Sequence, residues 1–116
     1  MAAHFAAGPM AFEGTPYERQ ITKVKVDSRT WVYEGPRDVD FVFIDGGHDV
    51  ETLQADTENA LRMLRPGGVI AWHDYAHPVL PDLTEWLRPR EGLVHVAETV
   101  LAFRFDGIHD FNGTEE

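Results

Sequence analysis

Cysteine is absent from this 116-residue chain, which removes any disulfide framework, thiolate nucleophile or thiolate metal ligand and fits a reducing compartment. Basic residues are few: 10 Lys and Arg stand against 20 Asp and Glu, for a formal net charge of −10. Nucleic acid and anionic membrane surfaces both need basic patches, so neither is expected as a partner. The acidic residues are spread along the chain, and solubility alone accounts for that spread. No apolar run approaches the ~20 residues that a membrane-spanning helix requires. The opening Met1-Ala-Ala-His-Phe-Ala-Ala7 lacks a basic n-region and a sustained apolar stretch, so no signal peptide is expected and a cytoplasmic location is. Internal repeats and low-complexity tracts are missing as well. The length sets a limit of one domain with a modest core.

What the chain does hold is concentrated between Asp40 and Tyr75. Asp40-Phe-Val-Phe-Ile-Asp-Gly-Gly-His48 and Val69-Ile-Ala-Trp-His-Asp-Tyr75 each run from apolar residues straight into groups able to bind a cation or move a proton. Between them Val50, Leu53, Thr57, Ala60, Leu61 and Leu64 recur at spacings of three and four, which forms one helical stripe. Glu51, Gln54, Asp56, Glu58 and Arg62 fall elsewhere, toward water. Asp49 is placed to cap this helix, and Arg65-Pro-Gly-Gly68 closes it. Strand, helix and strand make a βαβ unit whose two strands are parallel neighbours. Phe41-Val-Phe-Ile44 has no polar alternation, which predicts a strand covered on both faces. Asp45-Gly46-Gly47 ends it, and the glycines permit a tight turn and close backbone approach to a ligand. Ligands of open α/β sheets bind beyond the carboxyl ends of the strands, so Asp45, His48, His73 and Asp74 are expected on one rim.

The rest of the chain frames this unit. Residues 1–20 carry Gly8-Pro9, Gly14 and Pro16 and read as irregular, with one short helical turn at most and order gained against a partner. Ile21-Thr-Lys-Val-Lys-Val26 alternates and is β-branched, predicting a half-buried strand; Asp27 and Ser28 break it, and residues 29–33 fit a helical turn. After Pro81, Asp82 is expected to cap a short helix in which Leu83, Trp86 and Leu87 share a face and which Pro89 ends. Residues 93–97 and 100–105 predict a hairpin joined at Glu98-Thr99. The chain thus divides into an irregular segment (1–20), one α/β domain (21–106) and a flexible tail (107–116).

The pattern resembles the C-terminal half of a class I S-adenosylmethionine-dependent methyltransferase, most closely the small-molecule O-methyltransferases. The residues that carry it are Asp40-Phe-Val-Phe-Ile-Asp-Gly-Gly-His48, the helix end Leu64-Arg-Pro-Gly-Gly68, the strand Val69-Ile-Ala-Trp72, and His73-Asp74-Tyr75. Residues 94–105 are similar to the antiparallel pair that ends such sheets, so residues 21–105 are covered. The implied fold is α/β: a reduced Rossmann-like methyltransferase half, a parallel βαβ unit with a C-terminal antiparallel hairpin. The resemblance implies Asp45, Asp74 and His73 as ligands of a divalent cation such as Mg²⁺, and Asp27 and Ser28 as residues near the adenine of S-adenosylmethionine. His48, three residues after Asp45, is the candidate general base, since an imidazole titrates near neutral pH. Such enzymes also begin with a strand, a glycine-rich turn and a helix that cradles the cofactor. This sequence has no Gly-x-Gly-like turn after a strand, which implies an incomplete enzyme.

Two other readings of the same residues stand beside this one: a catalytically inactive oligomeric binding module, and a small divalent-metal-binding protein. Asp45 and Asp49 also serve as plain helix caps, both rim histidines as exposed loop residues, and Asp27-Ser28 as an ordinary turn. His77 and His95 read as surface or packing residues, and Trp72 and Trp86 as core. Without the family's first strand, Phe41-Val-Phe-Ile44 presents an open apolar edge. Either the strand at residues 21–26 fills that place, or a homo-oligomer forms through residues 41–44 or the N-terminal segment.

Overall fold

The computed structural model describes residues 11–22, 24–35 and 37–105. The expected tail at residues 107–116, and the first ten residues of the N-terminal segment, lie outside the described residues. Six elements carry the fold: β1 (Val39–Ile44), α1 (Val50–Met63), β2 (Leu64–His73), α2 (Pro81–Leu87), β3 (Val94–His95) and β4 (Leu101–Phe105), preceded by a single 3₁₀ turn at Glu18–Gln20. They build one four-stranded sheet in the order β1-β2-β4-β3. β1 and β2 run parallel, with Phe41 opposite Val69 and Ile44 opposite Trp72. The β2–β4 and β3–β4 pairs are antiparallel. The expected α/β arrangement, a parallel βαβ unit with a closing antiparallel hairpin, is therefore present.

Local chemistry explains each boundary. Asp49 caps α1, its Oδ1 accepting the Thr52 N–H at 2.7 Å, which satisfies one of the free donors at the helix start. The helix ends at Met63, and Leu64 already pairs with Val39. Between Leu64 and Val69 the register shifts. Gly67 turns there with φ of 81°, and a Cβ at Gly68 would lie 2.9 Å from the Asp40 carbonyl oxygen. The Arg65 guanidinium pairs with Asp40 across this irregular start.

Both helices lie on one face of the sheet. Val42 and Ile44 of β1 and Ile70 and Trp72 of β2 are buried against Leu53, Ala60 and Met63 of α1 and Leu83 and Leu87 of α2. Trp72 is a core residue as expected, 1% exposed, and its indole N–H donates to Thr57 Oγ1 at 3.0 Å. The opposite face is bare. Phe41 is 56% exposed and Phe43 43%, so the expectation that β1 is covered on both faces is overturned: no described element lies over that side. On the bare face Ala71 is nonetheless buried, because Phe43 and Phe103 flank it on the neighbouring strands.

Other expectations also change. Residues 21–22 and 24–26 form no strand, and Ile21 is exposed. Alternation alone does not make a strand where no sheet edge receives its hydrogen bonds. The outer edge of β1 has no neighbour among the described residues, so this segment does not fill the vacant place. The helical turn expected at residues 29–33 shrinks to a turn at residues 28–30, in which Thr30 and Trp31 both donate to the Asp27 carbonyl at 3.0 Å. Asp56, expected in water, is fully buried, whereas Leu61, expected on the stripe, is 39% exposed. The cause is a second contact of α1. Residues 28–33 pack along its flank, where Asn59 donates to the Trp31 carbonyl and accepts from the Tyr33 N–H at 3.0 and 2.9 Å. Asp82 is not the cap of α2; Leu80 holds that position and Pro81 opens the helix, placing Asp82 in its first turn. The hairpin strands are shorter than expected, and Glu98 turns between them with φ of 65°.

Candidate functional site

The parallel pairing of β1 and β2 delivers both carboxyl-terminal ends to one rim. Asp45 leaves β1 and His73 ends β2. Along β2, Ile70 and Trp72 face the helices, so His73 points toward the bare face, where its ring meets Phe43 edge-on at 6.3 Å. His73 Nδ1 lies 2.9 Å from Asp74 Oδ1 and 3.5 Å from Asp45 Oδ1. One ligand atom from each of Asp45, His73 and Asp74 lies within 4.8 Å of the others. Despite those distances Nδ1 is buried and makes no hydrogen bond among the described residues. The contacts to Asp74 and Asp45 are thus ion-pair distances without hydrogen-bond geometry.

The electrostatic setting separates the two carboxylates. Asp74 is 8% exposed, whereas Asp45 is open to water. The buried carboxylate thus stands against an imidazole nitrogen that has no hydrogen-bond partner among the described residues. His48, in the loop between β1 and α1, has a 65% exposed side chain, and its Nε2 stands 3.5 Å from the second oxygen, Asp74 Oδ2. All four residues expected on the rim are thus brought together.

Asp27 and Ser28 stand apart from this cluster. Asp27 Oδ1 accepts from Arg29 N and Nε at 3.0 and 3.1 Å, and its Oδ2 from Arg29 Nη2 at 2.9 Å. These bonds hold its carboxyl below the usual carboxylate range. Ser28 is buried, and its hydroxyl acts on Asp56, whose carboxyl is pushed up by burial and pulled back down by that hydroxyl. His77 Nδ1 accepts from Val79 N at 3.2 Å within its loop, and His95 packs edge-on against Tyr75 at 5.0 Å. Trp86 is partly buried, with the Arg90 guanidinium 3.8 Å above its ring.

Sequence reasoning missed the geometry that aims Asp74. Its φ is 74°, and that of Ala76 is 64°, both in the left-handed region that non-glycine residues rarely enter. Nothing in His73-Asp-Tyr-Ala-His77 signals this, because the usual mark, a glycine, is missing. Among the described residues no helix is long and apolar enough to cross a membrane.

Parallel strands joined through a capped helix, with acids and imidazoles at their common rim, define an α/β protein with a site at the carboxyl ends of its strands. A family model described as a methyltransferase domain matches residues 2–75, and the chain belongs to that family of class I S-adenosylmethionine-dependent methyltransferase-like domains. The match takes in β1, α1, β2 and the rim through Tyr75, and it extends N-terminal of the resemblance drawn from the sequence, while α2 and the hairpin lie outside it. No curated protein and no solved structure matches.

Proposed function

We propose that this chain forms the rim of a methyl-transfer site in which a divalent cation and a small-molecule hydroxyl acceptor meet, with S-adenosylmethionine as methyl donor. The observation that carries the reading is the unbonded, buried Nδ1 of His73, set 2.9 and 3.5 Å from the oxygens of Asp74 and Asp45. Neighbouring ligands around an ion at bond lengths of about 2.1 Å stand roughly 3 to 3.5 Å apart, which the two distances from His73 Nδ1 match. Asp45, His73 and Asp74 would hold the cation. An imidazole in a hard-oxygen set makes Mn²⁺ or Zn²⁺ as fitting as Mg²⁺. The cation would supply charge that holds an acceptor oxygen and favours its ionised form.

His48 is the base in this proposal. Its exposed imidazole, with Nε2 at 3.5 Å from Asp74 Oδ2, is placed to take the proton of a hydroxyl held at the cluster. For S-adenosylmethionine the described residues offer the Gly46-Gly47 link between β1 and α1, just before His48, and the turn that Asp27 and Ser28 open. No strand precedes β1 among them, so the glycine-rich cradle the cofactor needs is not part of the described fold. Titration calorimetry with S-adenosylmethionine, with and without Mg²⁺ or Mn²⁺, tests the reading. Heat from the cofactor that grows with metal supports it; no heat from either ligand removes it, and metal binding without cofactor binding leaves a metal-binding protein.

A second reading follows from the bare face. We propose that two copies associate through the open edge of β1 and its exposed Phe41 and Phe43, since an unprotected apolar edge is a template for pairing. A folded monomer in sedimentation at micromolar concentration would remove it. A cytoplasmic setting fits both readings, as the chain has no cysteine to protect.

A further inference from the structure

The segment from Asp74 to Ala76 is held in a conformation it would not choose. Asp74 and Ala76 both have left-handed φ, with Tyr75 between them. Aspartate tolerates that region by local hydrogen bonding, but alanine has no side chain to compensate. Such geometry persists only where surrounding structure imposes it. Three backbone bonds are available to do so. Tyr75 N donates to the Val100 carbonyl at 3.0 Å and His77 N to the Asp74 carbonyl at 3.3 Å. The shortest is from Ala76 N to Thr84 Oγ1, at 2.8 Å, and it alone ends on a side chain.

Thr84 is well placed to impose a geometry. It sits on α2, is 7% exposed, and is flanked by Leu83, which like Leu87 is anchored in the core. We infer that Thr84, which touches none of the rim atoms, is the positioning residue that holds Asp74 in the ligand cluster; this rests on the metal-binding reading above. Through the Ala76 N–H it fixes the chain two residues beyond Asp74. Without that bond Ala76 relaxes toward ordinary φ values, and the turn that swings Asp74 Oδ1 to 2.9 Å from His73 Nδ1 loosens. The helix that covers the core thereby also sets the donor geometry.

The test compares Mn²⁺ binding, read by electron paramagnetic resonance, in the wild type, Thr84→Val and Thr84→Ser. Valine keeps the shape and removes the acceptor; serine keeps the acceptor. The expected result is about tenfold weaker Mn²⁺ binding for Thr84→Val, in the range of losses seen when an outer residue supporting a ligand is removed. Thr84→Ser should stay within about twofold of the wild type, which a role in filling space would not produce. A second measurement needs only the wild type. Coupling is reciprocal, so saturating Mg²⁺ should slow hydrogen exchange of the Ala76 amide. Equal Mn²⁺ affinity in Thr84→Val, or Ala76 exchange unchanged by bound metal, overturns the inference, and the exchange result decides alone if Thr84→Val does not fold. Absence of Mn²⁺ binding in the wild type instead removes the metal reading, and this inference with it.

Discussion

Asp56 shows how one side chain can set a pH dependence. It lies on α1 with no exposed surface, beside the Ser28 hydroxyl. Burial pushes its carboxyl above the usual value of 3.8, with the Ser28 hydroxyl opposing. A raised folded-state value means that the native state binds the proton more tightly than the unfolded chain. The contribution to stability is then complete below the unfolded value and is lost as pH rises through the folded one. Asp56→Asn should therefore be more stable than the wild type at pH 7, by about 1 kcal/mol, and the gap should close near pH 3. Urea unfolding of both proteins at the two pH values reads this directly. Asp49 has the opposite sign. The Thr52 hydroxyl and then the Thr52 N–H lower its carboxyl, so its capping contribution is present at neutral pH and fades as pH falls below the ordinary carboxylate range. Asp49→Ala should cost about 1 kcal/mol at pH 7. The cap was legible in the sequence because capping is local; Asp56 and Asn59 were not, since their burial comes from residues 28–33, more than twenty positions away.

Among the elements, a buried side-chain hydrogen bond ties β2 to α1. The Trp72 indole N–H is buried on Thr57 Oγ1, so Thr57→Val, which keeps the volume, leaves a buried donor without a partner. Chemical denaturation should show a loss of about 1 to 3 kcal/mol. Elements with their own periodicity, α1 and the two apolar strands, were readable because each pattern carries its own evidence. Residues 21–26 misled for the same reason. Alternation reports a preference for a half-buried surface, but a strand exists only where an edge accepts it. The unbroken apolar run in β1 suggested two covered faces, and one of those covers is not formed by the described residues.

At the scale of the whole molecule, the sheet has one helix-covered face and one aromatic face that runs up to the rim through Phe43 and His73. If two copies meet through β1, Phe41→Lys should convert a dimer to a monomer in sedimentation without lowering the unfolding midpoint of the monomer, because Phe41 is already 56% exposed. The convergence of Asp45, His73 and Asp74 was foreseeable from two parallel strands ending in polar residues. The left-handed turn that aims Asp74 was not, since it is dictated from α2 and the hairpin. One measurement bears most directly on this arrangement: amide spectra of the protein during titration with sub-stoichiometric Mn²⁺. Selective broadening is expected at Asp45, Gly46, Gly47, His73 and Asp74, with Arg65 and Gly67 at the far end of β2 left sharp. Uniform broadening, or broadening centred on another acidic stretch, would contradict it.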